Sequence, residues 1–402
     1  GAAHAVLSAD GRAQGGSGSR FNINGARSDN SNFLVDGFHD QDSRGGGIQV
    51  RPPTGAMQEF KMQTTGYPAE HGRFGGGVMN MVLKTGGNRF HGELFEFLRN
   101  DALDARNFFA VSKPKLRRNH FGATLHGPVM IRRLYSGRNR TFFLASWDGY
   151  RQTIAQTSRA RVPAALERQG DFSQSRDLSG NVAPLRDPLA PGTCTELGAG
   201  GCFPGNRIPA SRMEPIALKI LPYYPLPNLA GEKNNLYAQA DDHDAYDTYV
   251  IKIDHRFRDK DSVSARYLTR RNRNSSPFAG SPSGAFGNRQ KQAQSLVGLT
   301  WTRLFSPTLI NEFRTGYSRT SNHERSVNAG RDFNAEFGIP GLTTDPGFIG
   351  FPRITVRDLI AIGDAGGVPV QFAMNNHQWA DTLTWVKDRH VIKFGADIVR
   401  AQ

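Results

Sequence analysis

Side chains capable of chemistry gather at only a few places in this 402-residue sequence. Asp36, Asp40 and Asp42 form one small acidic cluster; Asp241, Asp242, Asp244 and Asp247, with His243 among them, form another. Carboxylates this close could hold a hard cation, but a calcium loop needs a longer, fixed set of oxygen ligands, and that spacing is incomplete here. A solvated acidic loop is the favoured reading of both clusters, with a cation site as the alternative. Cys194 and Cys202 stand with seven residues between them in the run PGTCTELGAGGCFPGNR. A metal site built on them would lack its second pair of ligands, so a disulfide closing a short loop in an oxidising compartment is favoured over free thiols or a metal half-site.

Catalytic constellations are missing. There is no phosphate-cradling Gly-rich loop ending in Lys-Ser/Thr, no HExxH helix and no GxSxG elbow, and the 11 His are scattered. The expectation is a protein that is not an enzyme, with no cofactor and no metal. The formal net charge is +14, with dense basic runs: residues 113–140 hold eight Lys/Arg and residues 265–291 hold six, and neither run contains an acid. Basic runs of this kind suit a solvated surface or a polyanion. No nucleic-acid-binding motif accompanies them, so no nucleic-acid partner is expected, and a soluble basic β-protein that binds nucleic acid is kept only as an alternative.

The elements that would position these residues read as β-rich. Gly reaches 45 residues and aromatics 10%, with 26 Phe, while mean hydropathy is −0.50. No run approaches the ~18 apolar residues of a membrane helix. Barrel strands cross with about 10 residues of alternating polarity, so a membrane location remains open. Gly1-Ala2-Ala3-His4 does not resemble a secretory leader; the expectation is that the natural N-terminus lies upstream.

Residues 21–88 form a Gly-punctuated block with short strands expected at Phe21–Asn24, Asn32–Val35, Met57–Thr64 and Val78–Lys84. From 89 the segments lengthen, and nine strands are expected: 89–98, 118–129, 140–151, 246–257, 262–271, 292–304, 309–320, 376–386 and 390–400. Their connections alternate between long and short. Outer-membrane barrels do this, with long loops at one rim and tight turns at the other. Within the strands, Tyr249, Ile251, Ile253 and Phe257 share one face, against Val250, Lys252, Asp254 and Arg256. Likewise Ile392, Phe394, Ala396 and Ile398 oppose Lys393, Gly395 and Asp397. One face suits lipid and the other a wet lumen. The first strand is mixed, with Glu93 and Glu96 on opposite faces. Trp147, Tyr150, Tyr249, Trp379 and Trp385 are read as interfacial aromatics. The Pro-rich connection 152–245 is expected to be a large surface loop. An odd count of strands would leave an open edge in lipid, so further strands are expected beyond residue 402.

Several runs carry a family resemblance. Residues Phe21 to Gly37 (FNINGARSDNSNFLVDG), Met57 to Thr64 (MQEFKMQT), Tyr67 to Arg73 (YPAEHGR) and Gly75 to Gly86 (GGGVMNMVLKTG) resemble the plug of TonB-dependent receptors, most closely the Oar-like group. Phe90 to Phe97 (FHGELFEF), Asn100 to Phe109 (NDALDARNFF), Gly170 to Ser173 (GDFS), Asn206 to Pro209 (NRIP) and Lys252 to His255 (KIDH) are similar to the barrel of the same group. The fold this implies is mostly β: a small mixed α/β plug domain (the C-terminal part of it, 1–88), then a partial transmembrane antiparallel β-barrel (89–402) with an extracellular loop at 152–245. The implied partners are outer-membrane lipid, a TonB–ExbB–ExbD complex and a scarce extracellular ligand, either carbohydrate or metal chelate. The implied activity is import in the bacterial outer membrane, with surface adhesion or secretion-related work as the alternative. Arg27, Asp36, Glu70 and Arg73 become candidates for contacts between plug and wall. Gly75, Gly76 and Gly77 become a motif allowing close backbone approach. Siderophore-type plugs carry Arg/Lys-Gly-Pro where this chain has Thr64-Thr65-Gly66-Tyr67. No ligand-contacting residue is therefore carried over.

Overall fold

The computed structural model describes residues 23, 25–27, 30–42, 46–72, 74–106, 108, 113–176, 180–231 and 233–402. Two sheets dominate. The small one contains β1 (Ser31–Val35), β2 (Phe38–His39), β3 (Met57–Gln63) and β4 (Gly77–Leu83), in the order β2-β1-β4-β3. β1 and β4 are parallel, while β1–β2 and β3–β4 are antiparallel. Short 3-10 turns at Thr54–Ala56 and Ala69–His71 complete this unit. Of the strand expected at 21–24 only Ile23 is described, and it lies outside any strand.

The large sheet holds nine antiparallel strands: β5 (His91–Asn100), β6 (Leu116–Pro128), β9 (Thr141–Ala160), β10 (Leu236–Arg258), β11 (Asp261–Ser276), β12 (Asn288–Ser306), β13 (Leu309–Ser326), β14 (Val370–Lys387) and β15 (His390–Ala401). They pair in chain order, and the sheet is open. A two-strand ribbon, β7 (Met130–Ile131) with β8 (Tyr135–Ser136), sits in the β6–β9 connection.

Most of these strands are longer than the lipid-crossing pattern predicts. β10 runs 23 residues and β9 runs 20, so the connection expected over 152–245 narrows to 161–235. The reason is that 152–160 and 236–245 pair fully along the backbone although their outward side chains are polar. The second acidic cluster therefore lies on β10 rather than in a solvated loop. Asp241 and Asp247 face outward, ion-paired to Lys115 and Arg151, and Asp242 and Asp244 face inward.

Two hydrophobic cores result. One lies between the sheets: Phe33, Val35, Phe38, Val50, Met79 and Met81 of the small unit meet Leu144, Val250, Leu268 and Leu296 of the wall. The other lies among the long connections. Val162, Ile220 and Tyr224 of connection 161–235 pack with Phe286 and with Phe333, Phe337, Phe351 and Ile362 of connection 327–369. Two short helices, α1 (Pro215–Ile220) and α2 (Phe333–Phe337), belong to this cap. Asn235 ties its base, accepting from Val162 N and donating to Val162 O, both at 2.8 Å. The long connection is thus a folded cap with its own core. Cys194 and Cys202 are disulfide-bonded within it, their Cα atoms 4.9 Å apart.

Candidate functional site: a hairpin held by the inner wall

β1 and β2 are joined by the two residues Asp36-Gly37, both at positive φ (48° and 81°). That geometry is a type I′ hairpin, for which Asp-Gly is a preferred pair. The hairpin tip is pressed against the wall, where one cross-strand row supplies most of its partners and Arg314 and Asp397 add contacts from beside that row. The row runs Leu144–Lys252–Arg266–Gly298–Gly316–Gln378, each pair directly opposite on neighbouring strands.

Asp36 Oδ2 lies 3.0 Å from Arg266 Nη1 and 3.4 Å from Lys252 Nζ. All three side chains are under 10% exposed. Asp36 Oδ1 accepts from Leu83 N at 2.8 Å, which fixes the carboxylate to its own sheet. Asp254, 3.9 Å from Lys252, supplies a second negative charge against the two cations. Removing one member would strand a buried charge, which is far costlier than the small net value of the intact set.

Gly37 O accepts from Arg314 Nη1 at 3.1 Å. Phe38 drops into a socket that exists only because its floor is two opposed glycines. A Cβ on Gly298 or Gly316 would sit 2.8 or 2.6 Å from the Phe38 ring. The Arg266 guanidinium covers the same ring at 4.8 Å. His39 N donates to Gln378 Oε1 at 2.9 Å, and its Nε2 meets Asp397 Oδ2 at 3.2 Å.

One row above, Val250, Leu268 and Leu296 form the apolar layer, and Ser318 Oγ donates to Gln49 Oε1 at 3.1 Å. Higher still the lumen turns polar and aromatic. Tyr150 and Tyr246 stack at 5.0 Å, the Arg270 guanidinium covers Tyr246 at 3.7 Å, and His120 Nε2 meets Asp148 Oδ1 at 3.0 Å. Inward-facing Gln290, Gln292 and Gln294 of β12 continue this polar lining. Asp40, at the base of the hairpin, is fully buried. Its Oδ1 accepts from Val50 N at 2.8 Å, and burial pushes its carboxyl well above the usual range, against the pull of Arg51.

The candidate residues separate accordingly. Asp36 is at the centre of the contact. Glu70 makes an exposed pair with Lys393 of β15 at 3.4 Å. Arg27 lies on the exposed surface of the small unit, and Arg73 is outside the described residues. Gly75–Gly77 serve close packing within the small unit rather than against the wall. A Cβ on Gly76 would lie 2.8 Å from Asn30 O, and one on Gly77 2.8 Å from Ile23 Cγ2. The first acidic cluster is buried, with Asp36, Asp40 and Asp42 all shielded, so it is not a solvated loop. Among the described residues no group of three or more His, Cys, Asp or Glu is arranged for a metal ion. Tyr150 is not an interfacial aromatic. Three residues from outward-facing Trp147, its parity turns it inward onto Tyr246. Lys252 was placed on the inward face by alternation. Arg266, Gly298, Gly316 and Gln378 carry no such signal, since nothing local marks a row assembled from six different strands.

Residues 82–402 match the family model described as an outer membrane beta barrel domain. Over 122 residues the chain is 31% identical to the TonB-dependent transporter Oar of Myxococcus xanthus, covering 28% of this chain and 11% of that protein. The fold is similar to that of the outer membrane transporter YddB from Escherichia coli, with TM-score 0.56, 12% identity, and coverage of 95% of this chain and 42% of that one. The siderophore receptor PirA from Acinetobacter baumannii has TM-score 0.49 and 11% identity, over 96% of this chain and 42% of that one. The chain therefore spans less than half the length of these relatives.

Proposed function

This chain belongs to the outer membrane β-barrel family of the bacterial outer membrane, and from that premise we propose that it is part of a TonB-dependent-receptor-like plugged barrel that binds a scarce extracellular ligand and imports it. The observation carrying this reading is the hairpin Asp36–His39 lodged in its wall row. A wide barrel needs an occluding plug, and the small sheet is anchored on the inner face where such a plug must sit. The long connections then face the cell exterior and the tight turns the periplasm. Energy comes from a TonB–ExbB–ExbD complex acting on the plug. Above the plug, stacked tyrosines, amides and the guanidinium groups of Arg118 and Arg270 offer hydrogen bonds and ring faces, which suit a carbohydrate or a metal chelate.

The test compares a strain carrying the full-length gene with its deletion strain on a panel of single carbohydrates and metal chelates. At least one source is expected to support growth only with the gene, and its uptake is expected to stop with a protonophore. Equal growth on every source, with the protein present in the outer membrane, would sink import. The folded cap favours one other reading, attachment to a surface partner. Loss of attachment without loss of any uptake would select it.

A further inference from the structure

Two short runs, Gly170-Asp171-Phe172-Ser173 and Asn206-Arg207-Ile208-Pro209, meet in the cap although they lie far apart in the chain. They run antiparallel, with Asp171 directly opposite Arg207. Phe172 N donates to Asn206 O at 3.0 Å, and Ile208 N donates to Gly170 O at 2.9 Å. Asn206, 2% exposed and at φ 58°, commits its side chain to the same corner. Its Nδ2 donates to Phe172 O at 2.8 Å and to Ala183 O at 3.1 Å, and its Oδ1 accepts from Leu185 N at 2.6 Å. Gly170 is at φ 80°, and a Cβ there would lie 2.9 Å from Ile208 O. The corner is therefore set before anything binds to it, which lowers the cost of binding.

Beside this corner is an open cleft of about 340 Å³. That is the lower end of the range for small-ligand sites, about 300–1,000 Å³. Gly170, Pro204, Ile208 and Pro209 give it an apolar lining, and Gln169, Asp171 and Arg207 give it a polar side. Arg207 Nη2 meets Asp171 Oδ2 at 2.9 Å, with the side chains 65% and 17% exposed. Ser173, through its hydroxyl and its backbone N–H, holds the Asp171 carboxyl below the usual carboxylate range, so it is ionised at neutral pH. The pair carries no net charge, and the cleft selects neither an anion nor a cation. Arg207, more than half exposed, keeps N–H donors open to solvent beside a fixed acceptor. Adjacent hydroxyls fit such a pair: one donates to the carboxylate while its neighbour accepts from the guanidinium. Neither contact parts the two charges, whereas a zwitterion would have to part them. The apolar lining covers the C–H face of the same ring.

We propose that this cleft in the cap is a binding subsite for an uncharged sugar, a mono- or disaccharide unit held through adjacent hydroxyls by Asp171 and Arg207. It shares no residue with the tyrosine-lined lumen above the plug. It narrows the imported ligand to the carbohydrate class, and in that role it rests on the import reading. The cap takes the sugar first and the lumen second.

The test titrates the full-length protein, purified in detergent, with soluble probes followed by saturation-transfer NMR. The neutral probes are cellobiose, maltose, lactose and xylobiose. The charged probes are digalacturonate, the glucosamine dimer and the zwitterion glycylglycine. At least one neutral disaccharide is expected to bind more tightly than every charged probe. R207Q and D171N should each weaken it about tenfold or more. They should also exchange the selectivity. R207Q leaves a lone carboxylate and moves preference toward the glucosamine dimer; D171N leaves a lone guanidinium and moves it toward digalacturonate. A corner with a purely structural role would show no such exchange. Heat-modifiable gel mobility and protease resistance of the cap confirm folding, and R207Q serves alone if D171N fails, since Arg207 is the exposed partner. No binding of any neutral probe, tighter binding of a charged one, or binding unchanged in the folded variants overturns the proposal. Gene-dependent growth on a carbohydrate, with binding indifferent to both variants, removes the cleft and keeps import. Exchanged selectivity in a strain without gene-dependent uptake keeps the cleft and removes import.

Discussion

The two hydrophobic cores of this molecule are built on opposite principles. The core between small sheet and wall is assembled from regular strands, one inward residue per strand, and it buries charges beside its apolar layer. The core of the cap is assembled from irregular connections. It depends on aromatic rings, with Tyr223 and Phe351 at 4.8 Å and Phe286 and Phe351 at 4.8 Å, and on short links such as the bidentate Asp187–Arg212 pair at 2.6 Å. Burial of a ring pays for order with no geometric condition beyond contact. A buried charge is neutral in cost only while every partner stays in place. The first contact is therefore specific and brittle, and the second is tolerant.

The sharpest way to break that contrast is Asp36→Ala, which leaves Arg266 and Lys252 buried without their carboxylate. A loss of about 3–5 kcal/mol is expected. It would be read as a lower thermal midpoint and as protease access to the small sheet, with the cap still resistant. Cleavage of cap and small sheet together would show that the two cores are one cooperative unit. Phe351→Ala is the reciprocal change. It removes a ring touching four aromatic neighbours. A loss of about 3–5 kcal/mol confined to connections 161–235 and 327–369 is expected. Hydrogen exchange should rise there and stay unchanged in the small sheet. Replacing both cysteines by serine opens a loop of separation 8 and should cost the cap about 2–3 kcal/mol. Unchanged proteolysis of the 194–202 segment would show the staple to be dispensable.

A smaller effect concerns protons. Because burial raises the folded-state pKa of Asp40 above its unfolded value, the small sheet binds this proton more tightly than the unfolded chain does. Its stability should then rise as pH falls through the folded pKa toward the unfolded one, near ~4. Asp40→Asn keeps the acceptor for Val50 N and discards the charge. It should stabilise at pH 8 and lose that advantage as the pH is lowered; a constant advantage at every pH would sink the assignment. The least effect belongs to Glu70→Gln. The Lys393 pair is 51% and 31% exposed, and such pairs are worth about 0–1 kcal/mol.

Legibility in the sequence followed the same division. Where lipid covers one face and the small sheet the other, alternation is plain, and Tyr249, Ile251 and Ile253 against Val250 and Lys252 locate both faces of β10 correctly. Above the lipid the contrast vanishes. Asp241, His243 and Asp247 face outward there, so hydropathy falls silent while backbone pairing continues to Leu236. The wall row was hidden for another reason. Gly298 and Gly316 look like ordinary strand glycines, and only the register that sets them opposite each other makes a socket for Phe38. Asp36 could be named in advance because it sits in a resembling motif. Its partners Arg266 and Lys252 are more than 200 positions away, and no local pattern links them.

The length of β10 has a consequence for the world outside the cell. At the tilt usual for such walls each residue climbs roughly 2.5 Å, so 23 residues rise roughly 55–60 Å, about twice the thickness of an apolar band. On the orientation proposed above, the surplus stands outward as a rigid collar. In that orientation the cap is carried at its top, raised well above the apolar band, so that an approaching ligand meets folded protein before it meets lipid.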